Sequence, residues 1–159
     1  MSMDFTITRA IADDAPEVAV MVGELLAEIM GAIDVRAFNF DIVETTARLQ
    51  DFINREKYFV FIARDQGGTP AGFITLYESY ALYAEGAFGT IPELYVRPAY
   101  RVKRLGMRLL SQAKSFGKSC NWRRLEVTTP PLPQFDRTLA FYEREGFSIS
   151  GGRKIKMLL

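Results

Sequence analysis

The chain has 159 residues, with 20 Lys and Arg against 19 Asp and Glu and a hydrophobic content of 48%, values that fit one compact unit and exclude disordered, collagen-like and repeat architectures. It holds no histidine and one cysteine, Cys120, so serine–histidine and cysteine–histidine hydrolases, internal disulfides and cysteine metal centres are excluded, and no metal is expected. MSMDFTITRA lacks a basic, apolar leader and no apolar run reaches the ~20 residues of a membrane helix, so the expectation is a single domain over 1–159, cytoplasmic, with no membrane partner.

Phe5, Ile7 and the alternating TITRA predict a first strand. Asp13 and Asp14 ahead of Pro16 open a helix whose apolar face runs Val18, Met21, Val22, Leu25, Leu26, Ile29 to about Gly31. GAIDVRAFNF reads as a loop, after which Asn39 or Asp41 caps a second helix with Ile42, Val43, Leu49, Phe52 and Ile53 as its apolar stripe. KYFVFIARD and AGFITLYESY are antiparallel partners across the QGGTP turn. ALYAEGAFGT is Gly- and Ala-rich and reads as a loop; IPELYV is a strand stopped by Pro98. Val102, Leu105, Leu109, Ala113 and Phe116 share a helical face, with Gly117 near the end. RRLEVTTP is a strand closed by prolines, and FDRTLAFYERE a short helix with Gly146 at its C′ position. GFSIS, Gly151–Gly152 and RKIKMLL predict a closing hairpin. The order implies one sheet covered by helices on both faces.

Charge is unevenly placed along this order. Between Leu94 and Leu125 there is no Asp or Glu, while nine basic residues stand there: Arg97, Arg101, Lys103, Arg104, Arg108, Lys114, Lys118, Arg123 and Arg124. The rest of the chain then carries 11 basic and 19 acidic groups, so the block suits a polyanionic ligand or is a solvated basic face. A strand running into a basic turn and a helix start offers free N–H groups and aligned peptide dipoles to a diphosphate.

Two motifs make this specific. Leu94-Tyr95-Val96-Arg97-Pro98-Ala99-Tyr100, followed by Arg101-Val102-Lys103-Arg104-Leu105-Gly106, and the later Phe141-Tyr142-Glu143-Arg144-Glu145-Gly146-Phe147 stand in order with a strand between them. In both, the chain resembles the GNAT superfamily of acyl-CoA-dependent N-acyltransferases. The resemblance implies an α/β (α+β) fold: a single mixed, mostly antiparallel, twisted sheet with helices on both faces, splayed at its central strands. It also implies acetyl-CoA as co-substrate, its pantetheine arm along the backbone of Leu94, Tyr95 and Val96. The pyrophosphate would lie on the N–H groups of Arg101, Val102, Lys103, Arg104, Leu105 and Gly106, and the Tyr142 hydroxyl would protonate the leaving thiolate.

Three departures from the family pattern stand out. Arg104 replaces the signature's first glycine, and either crowds the pyrophosphate or turns outward to bind a phosphate. Phe135 stands where the second motif often opens with asparagine, behind the long TTPPLPQ loop. Pro92 occupies a common position of the catalytic carboxylate, which leaves Glu93 one residue away, facing the cleft only if the strand bulges; Glu126 is the other base candidate, a backbone carbonyl or water chain a third, and Glu78 an outsider.

The function expected is acetyl transfer to a primary amine, on a small molecule or a peptide, by direct attack in a ternary complex. A non-catalytic acyl-CoA sensor of the same fold is the alternative, and nucleic acid is not an expected partner because the cofactor explains the basic turn. Dimers are common in the family, and a homodimer is the expected assembly. Tyr77, Tyr80 and Tyr83 line an acceptor pocket or are structural, and Trp122 stacks a base or packs at a helix–strand junction. Residues 1–56 hold 11 acids against 4 basic groups, which form either an acidic wall for a cationic amine or a solvated face.

Overall fold

The computed structural model describes residues 4–159, with Val102 described by its backbone alone. The chain divides into one part reaching Thr128 and another from Thr129 to Leu159, each described by itself.

In the first part, Asp14 Oδ2 accepts the Ile11 N–H at 2.8 Å and closes a 3₁₀ turn over Ala12–Asp14. Helix α1 follows over Ala15–Ile33, with Pro16 in its first turn, and ends at Asp34 in the left-handed region at φ 55°. Helix α2 spans Ile42–Asn54; of the two proposed caps, Asp41 fills the position and accepts the Glu44 N–H at 2.9 Å.

Among the described residues one six-stranded sheet carries these helices. Strands β1 (Thr6–Arg9), β2 (Phe59–Arg64) and β3 (Pro70–Ala81) are antiparallel neighbours in that order. Strand β4 (Gly86–Ile91) pairs with the far half of β3, and β5 (Leu94–Val96) with its near half. Strand β6 (Leu125–Val127) lies parallel to β4 at the edge. Alternation along the strands supplies two apolar faces. Val60, Ile62, Phe73 and Tyr95 form a core with Val18 and Met21 of α1 and Leu49 of α2. On the opposite face helix α3 (Leu105–Ser119) packs Phe116 against Phe59 and Phe61, with ring centroids 4.8 and 5.5 Å apart. Helices therefore cover both faces.

Gly72 allows β3 and β5 to approach: a Cβ there would stand 2.6 Å from the Tyr95 carbonyl oxygen, a backbone atom that cannot swing aside. Gly72→Ala is therefore expected to cost about 1–3 kcal/mol in urea denaturation, the usual range for overpacking.

Several sequence expectations are corrected. ALYAEGAFGT is no loop: β3 runs to Ala81 and β4 starts at Gly86, because Gly89 leaves room for the Trp122 ring, which a Cβ would meet at 2.4 Å. IPELYV is two strands interrupted at Pro92–Glu93. On α2 only the Leu49 side reaches the core; Val43 is 73% exposed. α3 begins at Leu105, after a 3₁₀ turn over Pro98–Lys103, and the placement of the Val102 side chain on its apolar face lies outside the described residues. Cys120, whose residue type suggests a small buried hydrophobe, is instead partly exposed at the end of α3.

The second part holds helix α4, Asp136–Arg144, whose Gly146 (φ 100°) closes it as expected: Phe147 N–H donates to the Tyr142 carbonyl and Gly146 N–H to that of Glu143. The closing hairpin is absent. Residues 147–159 have neither helix nor strand; Gly151 and Gly152 both turn at positive φ, and Ile149, Ile155 and Met157 are left exposed, with no partner strand to cover them.

Candidate active site

The interruption at Pro92–Glu93 is a β-bulge. From Tyr77↔Thr90 to Ile74↔Leu94, β3 advances three residues while the opposite chain advances four, so one extra residue is accommodated against β3. The extra residue resets the alternation of faces and places Glu93 on the side of the sheet that carries Thr75 and Tyr58. Thr75, itself buried, accepts the Glu93 N–H on Oγ1 at 3.0 Å and donates its hydroxyl to Glu93 Oε1 at 2.6 Å. The Tyr58 hydroxyl lies near the same carboxylate. Burial raises the Glu93 pKa, and the Thr75 and Tyr58 hydrogen bonds pull it partly back. Tyr58 is itself raised, first by burial and then by the Glu93 charge, so it remains a hydroxyl donor.

Past the bulge, β5 has an open edge. Thr75 N–H donates to the Glu93 carbonyl and Arg97 N–H to that of Ala71, so the odd-numbered residues turn their polar backbone toward β3. In an antiparallel ladder the groups of Leu94 and Val96 then point the other way. Among the described residues β6, which flanks β4, forms no pair with β5. Along that edge Arg101 Nε donates to the Val96 carbonyl at 2.8 Å.

The basic turn follows directly. Arg108 N–H is the first of α3 to reach back to Arg104 O, leaving Leu105, Gly106 and Met107 with the N–H groups that open a helix. Arg104, just before them, is left-handed at φ 59° and exposed, which is the backbone reason a glycine suits this position. Among the described residues its side chain has no ion-pair partner. Relief of left-handed strain, about 1 kcal/mol, is offset by the looser unfolded chain that a glycine brings, so Arg104→Gly is expected to stay within about 1 kcal/mol of the parent in stability.

Much of the remaining positive charge is already paired. Arg97 makes a two-pronged bridge to Glu24 at 3.0 Å for each contact, and Arg101 does the same to Glu28 at 2.8 and 2.6 Å. The glutamates stand four residues apart on α1, as do their arginines on the turn, a matching spacing that the sequence displays but that needs the fold to be recognised. Tyr95 donates to Glu24 as well, at 3.2 Å. Arg64 binds Asp14 and Glu17. Asp14, Glu17, Glu24 and Glu28, four of the eleven acids in the first 56 residues, are thus tied to arginines from later in the chain.

Of the other proposed residues, Glu126 lies on β6 opposite Thr90 and is bridged to Arg124 at 2.6 Å. Glu78 accepts from Tyr80 and, at 2.7 Å, from the Trp122 indole, whose ring packs on Phe59 and Phe116. Trp122 is therefore a packing residue. Tyr80 and Tyr83 are exposed, whereas Tyr77 stacks on Tyr58, with ring centroids 6.1 Å apart and an interplanar angle of 11°. Tyr142, in the second part, is buried on α4 with its ring edge-on to Phe141 and Phe147, and burial raises its pKa. Glu93, Leu94–Val96, the turn to Gly106 and Glu126 share the first part of the chain. Thr75 and Tyr58 were not singled out from sequence, since their role depends on a register that periodicity does not supply.

The model of the acetyltransferase (GNAT) family matches residues 23–147. No curated protein matches the sequence. Among solved structures, the chain is similar in fold to an aminoglycoside acetyltransferase from an uncultured soil metagenomic sample (TM-score 0.75, 19% identity, 98% of this chain and 96% of that one). It is similar to an acetyltransferase of Trypanosoma brucei (TM-score 0.71, 21% identity, 98% and 100%). A ribosomal-protein-alanine N-acetyltransferase from Brucella melitensis biovar Abortus 2308 gives a TM-score of 0.72 at 17% identity over 98% and 100%.

Proposed function

The chain belongs to the GNAT acetyltransferase family, and on that premise we propose that it transfers the acetyl group of acetyl-CoA to a primary amine by direct attack within a ternary complex. The observation that carries the reading is the bulge at Pro92–Glu93, which frees the outer edge of β5 and presents a carboxylate with raised pKa beside it. The residues suit the coenzyme: a strand edge paired with no outer strand, its Val96 carbonyl held by Arg101 Nε, fits an amide-bearing arm, and the exposed Arg104 and the N–H groups of Leu105, Gly106 and Met107 fit a diphosphate. Acetyl-CoA supplies an activated thioester and a thiolate leaving group.

The chain's residues then divide the work. Leu94 and Val96 hold the arm through their backbone groups, and Val96 N–H polarises the acetyl carbonyl. Glu93, ionised, takes the proton from the acceptor's ammonium, and Tyr142 Oη gives one to the departing sulfur. Glu126, already committed to Arg124, is not required as a base. No group of His, Cys, Asp and Glu among the described residues is arranged to hold a metal, and no helix among them is long and apolar enough to cross a membrane. In this reading residues 1–159 act as one transferase domain on a small-molecule or peptide amine.

Calorimetric titration with acetyl-CoA tests the premise. One ligand per chain is expected, and Arg104→Gly should weaken it up to about tenfold, the worth of one charge-assisted contact, and more at low salt. Tighter binding by the glycine variant would mean that Arg104 obstructs the pyrophosphate. No binding by either protein would end the transferase reading, and binding without acetylation of any amine would leave a sensor.

A further inference from the structure

A slot of about 490 Å³ is walled by Phe52 from the end of α2, Tyr58 just before β2 and Tyr77 from β3, with Asp51, Arg55, Lys57 and Glu78 completing its lining. The three rings form a continuous aromatic surface: Phe52 and Tyr58 are 5.1 Å apart, and Tyr58 stacks on Tyr77. Tyr58 links the two, since its ring lines the slot and its hydroxyl lies near the Glu93 carboxylate. An amine at Glu93 therefore has its substituent one ring away from an apolar cavity.

The charges around the slot are spoken for. Asp51 bridges Arg55, and Glu78 takes the Tyr80 and Trp122 donors. Glu24, Glu28 and Glu17 of α1, with Asp14 before it, are bound by arginines. Each of these carboxylates already has a donor partner that an ammonium would have to share or displace, and the slot's remaining charged side chain, Lys57, is positive.

We propose that the slot formed by Phe52, Tyr58 and Tyr77 receives an aromatic or bulky apolar side group of the acceptor, so that the substrate is a monoamine of that kind and not a polycation. The proposal rests on Glu93 marking the acceptor nitrogen. Burying a larger apolar group there gains affinity in proportion to the area withdrawn from water.

The test uses the full chain with ethylamine, isobutylamine, 2-phenylethylamine and spermidine as probes, read two ways. Binding in the presence of CoA is measured by saturation-transfer NMR titration, and acetylation by release of free thiol from acetyl-CoA. The expected order is 2-phenylethylamine, isobutylamine, ethylamine, with about tenfold or more between the first and last in affinity and in kcat/KM. Tyr77→Ala, which opens the slot, and Phe52→Trp, which narrows it from α2, should each compress that span to about threefold, with CoA binding unchanged. A flat series in the parent protein, a preference for spermidine, or a span that stays undiminished in both variants would overturn the proposal. A graded binding series without acetylation would keep the slot and sink the transferase reading.

Discussion

Glu93→Gln is expected to lower kcat by roughly 10²- to 10⁴-fold, the usual contribution of a positioned acid–base group, while leaving CoA affinity within about twofold. Glutamine fits the same space and its carbonyl still accepts from Thr75, so the change removes the proton acceptor and little else. In the parent protein kcat/KM should rise with pH through the raised Glu93 pKa, because only the ionised carboxylate can accept the ammonium proton. The variant should lose that limb. A profile unchanged by the substitution would assign the base to water or to a backbone carbonyl.

The same shift has a signed consequence for stability. A carboxyl whose folded pKa lies above its unfolded value of 4.5 favours the folded state while protonated. That contribution is fully present below the unfolded value and is lost as pH rises through the folded one. The parent protein should therefore lose stability relative to Glu93→Gln across that window, and at pH 7 the variant should denature at an equal or higher urea concentration. Low activity with undiminished stability separates a functional carboxylate from a structural one.

Tyr142→Phe is expected to reduce kcat by about 10²-fold with acetyl-CoA binding retained, if the phenol protonates the leaving thiolate. The raised pKa keeps Tyr142 protonated well above neutrality, so it imposes no alkaline fall near pH 8. Phenylalanine preserves the edge-on packing with Phe141 and Phe147, and Tm should stay within a few degrees. Full turnover by the variant would make Tyr142 a core residue and leave thiolate protonation to water.

The parts of this molecule legible in sequence were those governed by short-range chemistry. Asp41 capping α2, Gly146 closing α4 and the QGGTP turn each depend on a few neighbouring residues. The family was legible through the strand–basic turn–helix motif. Strand β4 was not, because its glycines lower strand propensity, while the reason for them, a Trp122 ring on Gly89, lies more than thirty residues away. The pairing of Arg97 and Arg101 with α1 was hidden for the same cause: net charge counts residues, whereas ion pairs require the fold. The bulge was half legible. Pro92 beside Glu93 made it a condition, and only the register against β3 fixed which face the carboxylate takes.

That register carries a lesson about length as against identity. If Pro92 were deleted, every side chain named here would survive, and β4 and β5 would join into one uninterrupted strand opposite β3. Glu93 could still neighbour Thr75, but nothing would part β5 from the line of β4, and an arm lying along β5 would compete with a sheet able to close on itself. A frame-preserving loss of one codon could thus silence the protein more completely than most substitutions, while a comparison of residue types alone would score the two chains as nearly the same.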